Sequence, residues 1–353
     1  MESFTNKYFL AANSCEGFVS YFSSSYNPKE GWKAFIIKGG PGTGKSTFMK
    51  KIASFANEKG YITELCPCSS DPDSLDAVII PDLKITIMDG TAPHTVDPIY
   101  PAASDTILNF SEFWNGKEIQ AKSKEIIELT DKNKQFHKSA SRYLSSAGQI
   151  FKDNLNLTQR VTDTQKVRAY ADKLCLRYLK HKGNGAGESV RFLSGISPKG
   201  IVNYPETLLS FSSQPFIIRD EHGNVSNEIM SILRDFALNK DYKIITFRNA
   251  YLPNLIDHLV IPELNTVFIR ESRSFTVASD VRRVHAIRFL NKNLLKVKRL
   301  KYNTKIADLL LDSAIEALKE AKFTHDDLEA YYINSMNFDA LEEFTDKFIN
   351  EIF

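Results

Sequence analysis

Residues 35–83 align with residues 216–264 without a gap at a constant offset of 181, and 14 of the 49 paired positions are identical. The shared residues include the apolar run Phe35, Ile36 and Ile37, the glycine at 42, and the pair Ile80 and Pro81. The likeness begins earlier: YFLAANSCEGFVSY at 8–21 resembles RFLSGISPKGIVNY at 191–204, at an offset of 183. A repeat of this length restricts the chain to one supersecondary frame built twice, because the same apolar spacing has to bury the same faces. Each copy reads as strand, helix, strand, glycine-loop position, helix, strand, short helix, strand. At 353 residues the chain is long enough for two cores.

The first copy carries chemistry. AFIIK at 34–38 suits a strand buried on both faces. FMKKIASFANEKG, from Phe48, has apolar residues at helical spacing and a glycine stop. Between them, GGPGTGKST at 39–47 fits the phosphate-loop pattern G-x-x-x-x-G-K-[ST]. Glycines let the backbone curl so that N–H groups aim at an anion, and the helix N-terminus that follows favours negative charge. The expected cofactor is ATP or another nucleoside triphosphate with Mg²⁺. Gly39, Gly40, Pro41, Gly42, Thr43 and Gly44 would form the cradle. Lys45 would meet the β- and γ-phosphates, Ser46 the Mg²⁺, and Thr47 the α-phosphate. A carboxylate at the tip of a neighbouring strand completes such a site, and KITIMD at 84–89 offers Asp89 as a second Mg²⁺ ligand.

Two loops should border the ligand, since strand C-termini of open α/β sheets point at the binding crevice. SSDPDSLD at 69–76 holds Asp71, Asp73 and Asp76, and it also reads as the capped start of a short helix. DGTAPHTVDPIYP at 89–101 holds His94 and Asp97, either of which could orient a water or an acceptor group. The candidate catalytic set is therefore Lys45, Asp89, His94 and Asp97.

The second copy keeps packing residues and loses the chemistry. Gly39, Gly40, Gly44, Lys45, Ser46 and Asp89 become Asp220, Glu221, Val225, Ser226, Asn227 and Arg270. Two added carboxylates and a lost lysine have the wrong sign for a triphosphate. Two unit charges about 4 Å apart repel by roughly 4 kcal/mol at an effective dielectric near 20. The expected fold class is thus α/β, with duplicated P-loop NTPase-type, mostly parallel sheets and a degenerate second copy. The domain division is 1–114, a helical insertion and linker at 115–190, 191–275, and a helical C-terminal segment at 276–353.

The net charge of +2 gives no global reason to expect nucleic acid. The basic run NKNLLKVKRLKYNTK at 291–305 reads more simply as a solvated helix face than as a nucleic-acid or membrane surface. There is no apolar run of about 18 residues and no secretory pattern at the N-terminus. Four cysteines form no disulfide framework, and Cys66 and Cys68 read as small residues ending a buried strand. A cytoplasmic location is expected.

GGPGTGKST at 39–47, CSSDPDSLDAVIIP at 68–81, DGTAPHTVDPIYP at 89–101, FLSGISPKGIVNY at 192–204 and AKFTHDDLEAYYINSMNFD at 321–339 together resemble a little-characterised bacterial family of tandem P-loop NTPases. Its members are usually labelled ATP-binding protein or putative nucleotide kinase. The resemblance covers nearly the whole chain. It implies that Asp71, Asp73, Asp76, Asp89, His94 and Asp97 lie near the nucleotide. It also implies a glycine-rich loop in the second half, from which this sequence departs. The expectation is one Mg-ATP site in the first half that hydrolyses ATP or transfers its phosphoryl group to an unidentified acceptor. The alternative is a nucleotide-gated switch for a protein partner. Arg219, Arg234, Arg248 and Arg270 are candidates for an arginine finger from the second half.

Overall fold

The computed structural model describes residues 5–92 and 95–353. In the first half β1 (Thr5–Lys7) precedes a hairpin of β2 (Ala11–Ser14) and β3 (Gly17–Ser20). Then β4 (Lys33–Lys38) leads through the glycine loop into α1 (Lys45–Glu58), followed by β5 (Thr63–Pro67), β6 (Leu75–Ile80), β7 (Ile85–Asp89) and β8 (Asp105–Asn109). Helices α2 (Gly116–Ala121), α3 (Ser123–Gln159) and α4 (Thr164–Tyr178) come next. The second half opens with β9 (Gly187–Phe192), the hairpin β10 (Ser194–Ser197) and β11 (Gly200–Asn203), and the short α5 (Glu206–Leu209). It continues with β12 (Phe216–Arg219), α6 (Asn224–Asn239), β13 (Lys243–Arg248), β14 (Ile256–Ile261), β15 (Thr266–Glu271) and β16 (Arg283–His285). The chain finishes with α7 (Val297–Ile333) and α8 (Phe338–Ile352).

The halves have one topology. Strand order is β1-β5-β6-β7-β4-β8 in one sheet and β9-β13-β14-β15-β12-β16 in the other. Within these two sheets all pairings are parallel except those of β6 and β14, each antiparallel to both neighbours. Alternation along the strands sends one face of each sheet to a shared core and the other to its own helix. Ile36 and Ile217 join the shared core, while Ile37 packs with α1 and Ile218 with α6. Reciprocal bonds between Phe9 and Phe192 (2.8 and 2.9 Å) stitch the halves along their β1 and β9 edges.

Three local expectations are corrected. The helix expected near the start of each copy is a β-hairpin. Its tight turn is closed by Ser14 accepting from Glu16 N and donating to Gly17 O, and by Ser197 doing the same with Lys199 and Gly200. The segment 69–76 holds no helix: Asp71 accepts from Asp73 N and Ser74 Oγ in a turn, and β6 starts at Leu75. The residues 283–285, expected in a helical tail, form the edge strand β16, so the second half ends where the first does, on a strand paired with its β4 equivalent.

The helices belong to the repeat as well. Both α3 and α7 are 37 residues long, and the α3–α4 and α7–α8 pairs are related by a uniform offset of 174. The two long helices pair antiparallel, with Asn133 Nδ2 donating to Ala321 O (2.7 Å) and Asn303 Nδ2 to Asn154 Oδ1 (2.9 Å). Buried residues on α7 recur every seven positions, at Leu300, Ala307, Ala314, Ala321 and Leu328, which is a coiled-coil seam. The short helices then exchange: α4 packs Val167, Ala171 and Leu174 on α6 of the second half. Helix α8 packs Leu341, Phe348 and Ile349 on α1 of the first half. Matching backbone bonds hold the corners, Asp163 N to Phe289 O (2.8 Å) and Asn337 N to Phe113 O (2.7 Å). No helix among the described residues is long and apolar enough to cross a membrane.

Candidate functional site

The glycine loop runs from Gly39 to Gly44 between β4 and α1. Gly42 (φ 67°) and Gly44 (φ 81°) take left-handed backbone, which a side chain disfavours. Gly44 caps α1 without a side chain, so no side chain satisfies the first-turn N–H groups, and the positive end of the helix faces the loop. Lys45 reaches back over the loop, its Nζ donating to Gly39 O (3.2 Å) and Gly40 O (2.6 Å). The same ammonium lies 3.6 Å from Asp89 Oδ2. This meeting follows from the sheet, because β7 pairs directly with β4 and sets Asp89 beside Ile37. Thr91 ties the two strand ends, its N donating to Asp89 Oδ1 (2.8 Å) and its hydroxyl to Gly39 O (2.9 Å). Ser46 Oγ accepts from Leu75 N (3.0 Å), and buried Thr43 donates to Gly40 O (2.9 Å). Pro41 is half-buried in the loop and Thr47 is exposed on α1.

The neighbouring loops come to the same end of the sheet. Lys38 Nζ donates to Gly90 O, Val96 O and Asp97 Oδ1 (2.9, 2.7 and 2.8 Å), so Asp97 is pinned by an ion pair at the rim. His94 lies outside the described residues. Asp76 is buried in β6. Asp71 lies 3.5 Å from Lys322 Nζ, and exposed Asp73 pairs with Lys199. Both lysines come from the second half: Lys199 from the β10–β11 turn and Lys322 from α7. The Lys199 bond lowers the Asp73 pKa from its ordinary value.

The last turns of α7 and the start of α8 sit directly on the glycines. A Cβ on Gly40 would lie 2.6 Å from the Tyr332 ring, one on Gly42 would lie 2.9 Å from Glu329 O, and one on Gly44 would lie 2.8 Å from Leu341. His325 is on the same stretch of α7 and its pKa is lowered by burial and by Lys322 and Lys45, against the pull of Glu329 and Asp326. These α7 residues were not candidates from spacing or motif, yet they fall inside the 321–339 segment that carried part of the family resemblance.

The equivalent loop of the second half is shut by its own side chains. The Asp220 carboxylate accepts from Gly223 N (3.1 Å), Ser226 N (2.8 Å) and Ser226 Oγ (3.1 Å). Arg270 donates to Asp220 O (2.9 Å) and Glu221 O (3.0 Å), and pairs with Asp257 (2.5 Å). Asn227 Oδ1 accepts from Ile256 N (2.9 Å), as Ser46 does from Leu75 N in the first half. Three of the four arginines considered as a finger are engaged within their own half, Arg234 with Glu188, Arg248 with Asn254 O, and Arg270 as above, while Arg219 is exposed at the end of β12.

No family model, no curated protein and no solved structure matches this chain.

Proposed function

We propose that the first half is a P-loop site for ATP or another nucleoside triphosphate with Mg²⁺, that it hydrolyses the nucleotide or transfers its terminal phosphoryl group, and that the second half binds none. One observation carries the reading. Lys45 stands at an uncapped helix N-terminus, its ammonium resting on the loop's own carbonyls beside Asp89. Phosphate oxygens would replace those carbonyls as partners of Lys45, and the loop amides would hold the phosphate chain. Asp89 and Ser46 fit Mg²⁺, being a carboxylate and a hydroxyl, both hard oxygen donors, with the Lys45 ammonium 3.6 Å from Asp89. When bound, the ion would offset charge on the terminal phosphates. Asp97, held by Lys38, would order the rim rather than act as a free base.

Phosphate release by the pure protein with Mg-ATP, alone and with candidate acceptors, tests the reading against Lys45→Ala. Turnover that disappears in the variant supports it, and turnover that persists refutes the site.

A nucleotide-gated switch is favoured by a different observation, the seating of Tyr332, Glu329 and Leu341 on the three glycines. In that reading a nucleotide lifts the α7–α8 corner, and hydrolysis is slow. The Trp114 ring lies 5.6 Å from Tyr332, so tryptophan emission reports the corner. An emission change on adding Mg-ATP, absent in Lys45→Ala, supports the switch; unchanged emission with full turnover rejects it.

A further inference from the structure

Residues 281–307 hold nine lysines and arginines and no aspartate or glutamate, in a chain whose totals of 45 and 43 nearly cancel. All of the nine except Arg283 are exposed; Arg283 pairs with Glu271 (3.0 Å) and Arg299 with Asp153 of α3 (2.9 Å). The fold sets this stretch against the α3–α4 corner, more than 100 residues away in sequence. Between them lies a cleft of about 400 Å³, with Arg160, Thr162 and Lys166 on one wall and Arg288, Asn291 and Leu294 on the other. Backbone bonds fasten the walls, from Asp163 N to Phe289 O (2.8 Å) and from Asn291 N to Val161 O (2.8 Å). The acid lining this cleft, Asp163, is committed to capping α4 through Lys166 N (3.0 Å). Beside the cleft, Lys298, Lys301 and Lys305 share one face of α7, with Tyr302 65% exposed among them.

We propose that this face binds the phosphate backbone of single-stranded nucleic acid. Cations on both walls of a concave cleft surround a strand, whereas a bilayer presents a broad surface that meets a convex face. Asn291 can donate through Nδ2 to sugar and phosphate oxygens, while the Thr162 hydroxyl is held inside the wall by Thr158 O and Asn224. The exposed Tyr302 ring offers a base a stacking surface, and that kind of contact tolerates any sequence. The face is independent of the nucleotide reading. It stands at the start of α7, while the end of that helix, about 55 Å away at 1.5 Å per residue, lies on the glycine loop.

The test is fluorescence anisotropy of a labelled single-stranded 20-nucleotide oligomer with the full chain across a salt series. The expected Kd is about 10⁻⁶–10⁻⁴ M near physiological salt, and four phosphate contacts would give a log–log salt slope of about −3. The triple variant Lys298→Glu, Lys301→Glu, Lys305→Glu changes exposed residues, so its melting temperature should hold while its affinity falls at least ten-fold. Absence of binding at low salt overturns the proposal, as does equal affinity in the triple variant. It is likewise overturned if anionic vesicles capture the protein and the oligomer fails to compete.

Discussion

The two loop positions have equal length in sequence and unequal length in space. Six residues separate β4 from α1, but four separate β12 from α6. The difference traces to one pair of residues. Gly44 holds left-handed backbone and delays the start of α1 to Lys45, whereas Val225 continues the helix and buries its side chain in the core. With the helix started earlier, Asp220 drops its carboxylate onto the N–H groups of Gly223 and Ser226. Both halves therefore end a strand at a helix N-terminus without a side-chain cap from the residue that precedes it. In the second, the acceptor is a residue of the chain itself, and Arg270 in the place of Asp89 locks it in.

The comparison breaks first at Lys45. Lys45→Ala should lower nucleotide turnover by about 10³-fold, the upper range for losing one preorganised charge donor. Ser226→Ala, at the equivalent position, should leave it unchanged; steady-state phosphate release distinguishes the two.

The next largest effect is on stability. His258 occupies the position of Ala77 and lies fully buried, which lowers its pKa to about 4 against the opposing pull of Asp257. Between pH 6.5 and 4 the unfolded chain takes up a proton that the folded chain refuses. Stability should therefore fall with pH by up to about 3 kcal/mol, with full stability above pH 6.5. Denaturant midpoints at several pH values measure this, and His258→Ala should remove the slope over that window.

Smaller effects separate the loops themselves. Asp220→Ala leaves buried N–H groups without an acceptor and should cost about 1–3 kcal/mol, while conferring no nucleotide affinity. Gly44→Ala and Gly223→Ala each force left-handed backbone on a side chain, at about 1–2 kcal/mol. Thermal melting should show comparable losses in the two, and nucleotide titration should show an effect in Gly44→Ala alone.

Much of this fold was legible because the repeat preserves core residues: Phe35 to Ile37 and Ile80 to Leu83 fix strands and turns in both copies. The direct pairing of β7 with β4 was not, since strand order leaves no local mark on the sequence. The hairpin at 11–20 was missed because Ser14 closes its turn through side-chain bonds that periodicity does not register. The duplication of α3–α4 as α7–α8 was hidden because a coiled-coil seam constrains only two positions in seven, and those only in size and polarity. At the candidate site the loop and Asp89 were readable from motif and spacing. Lys322, His325 and Tyr332 reach it across nearly 300 residues of chain, through the exchange of the two helical arms.

We propose one difference between the loops above all: the first takes a nucleotide beneath the α7–α8 corner that rests on its glycines, and the second is filled by the chain's own Asp220 carboxylate. Isothermal titration of the full chain with Mg-ATP tests it most directly. One nucleotide bound per chain, lost in Lys45→Ala and retained in Ser226→Ala, is the predicted result. Two nucleotides per chain, or binding that survives Lys45→Ala, would contradict it.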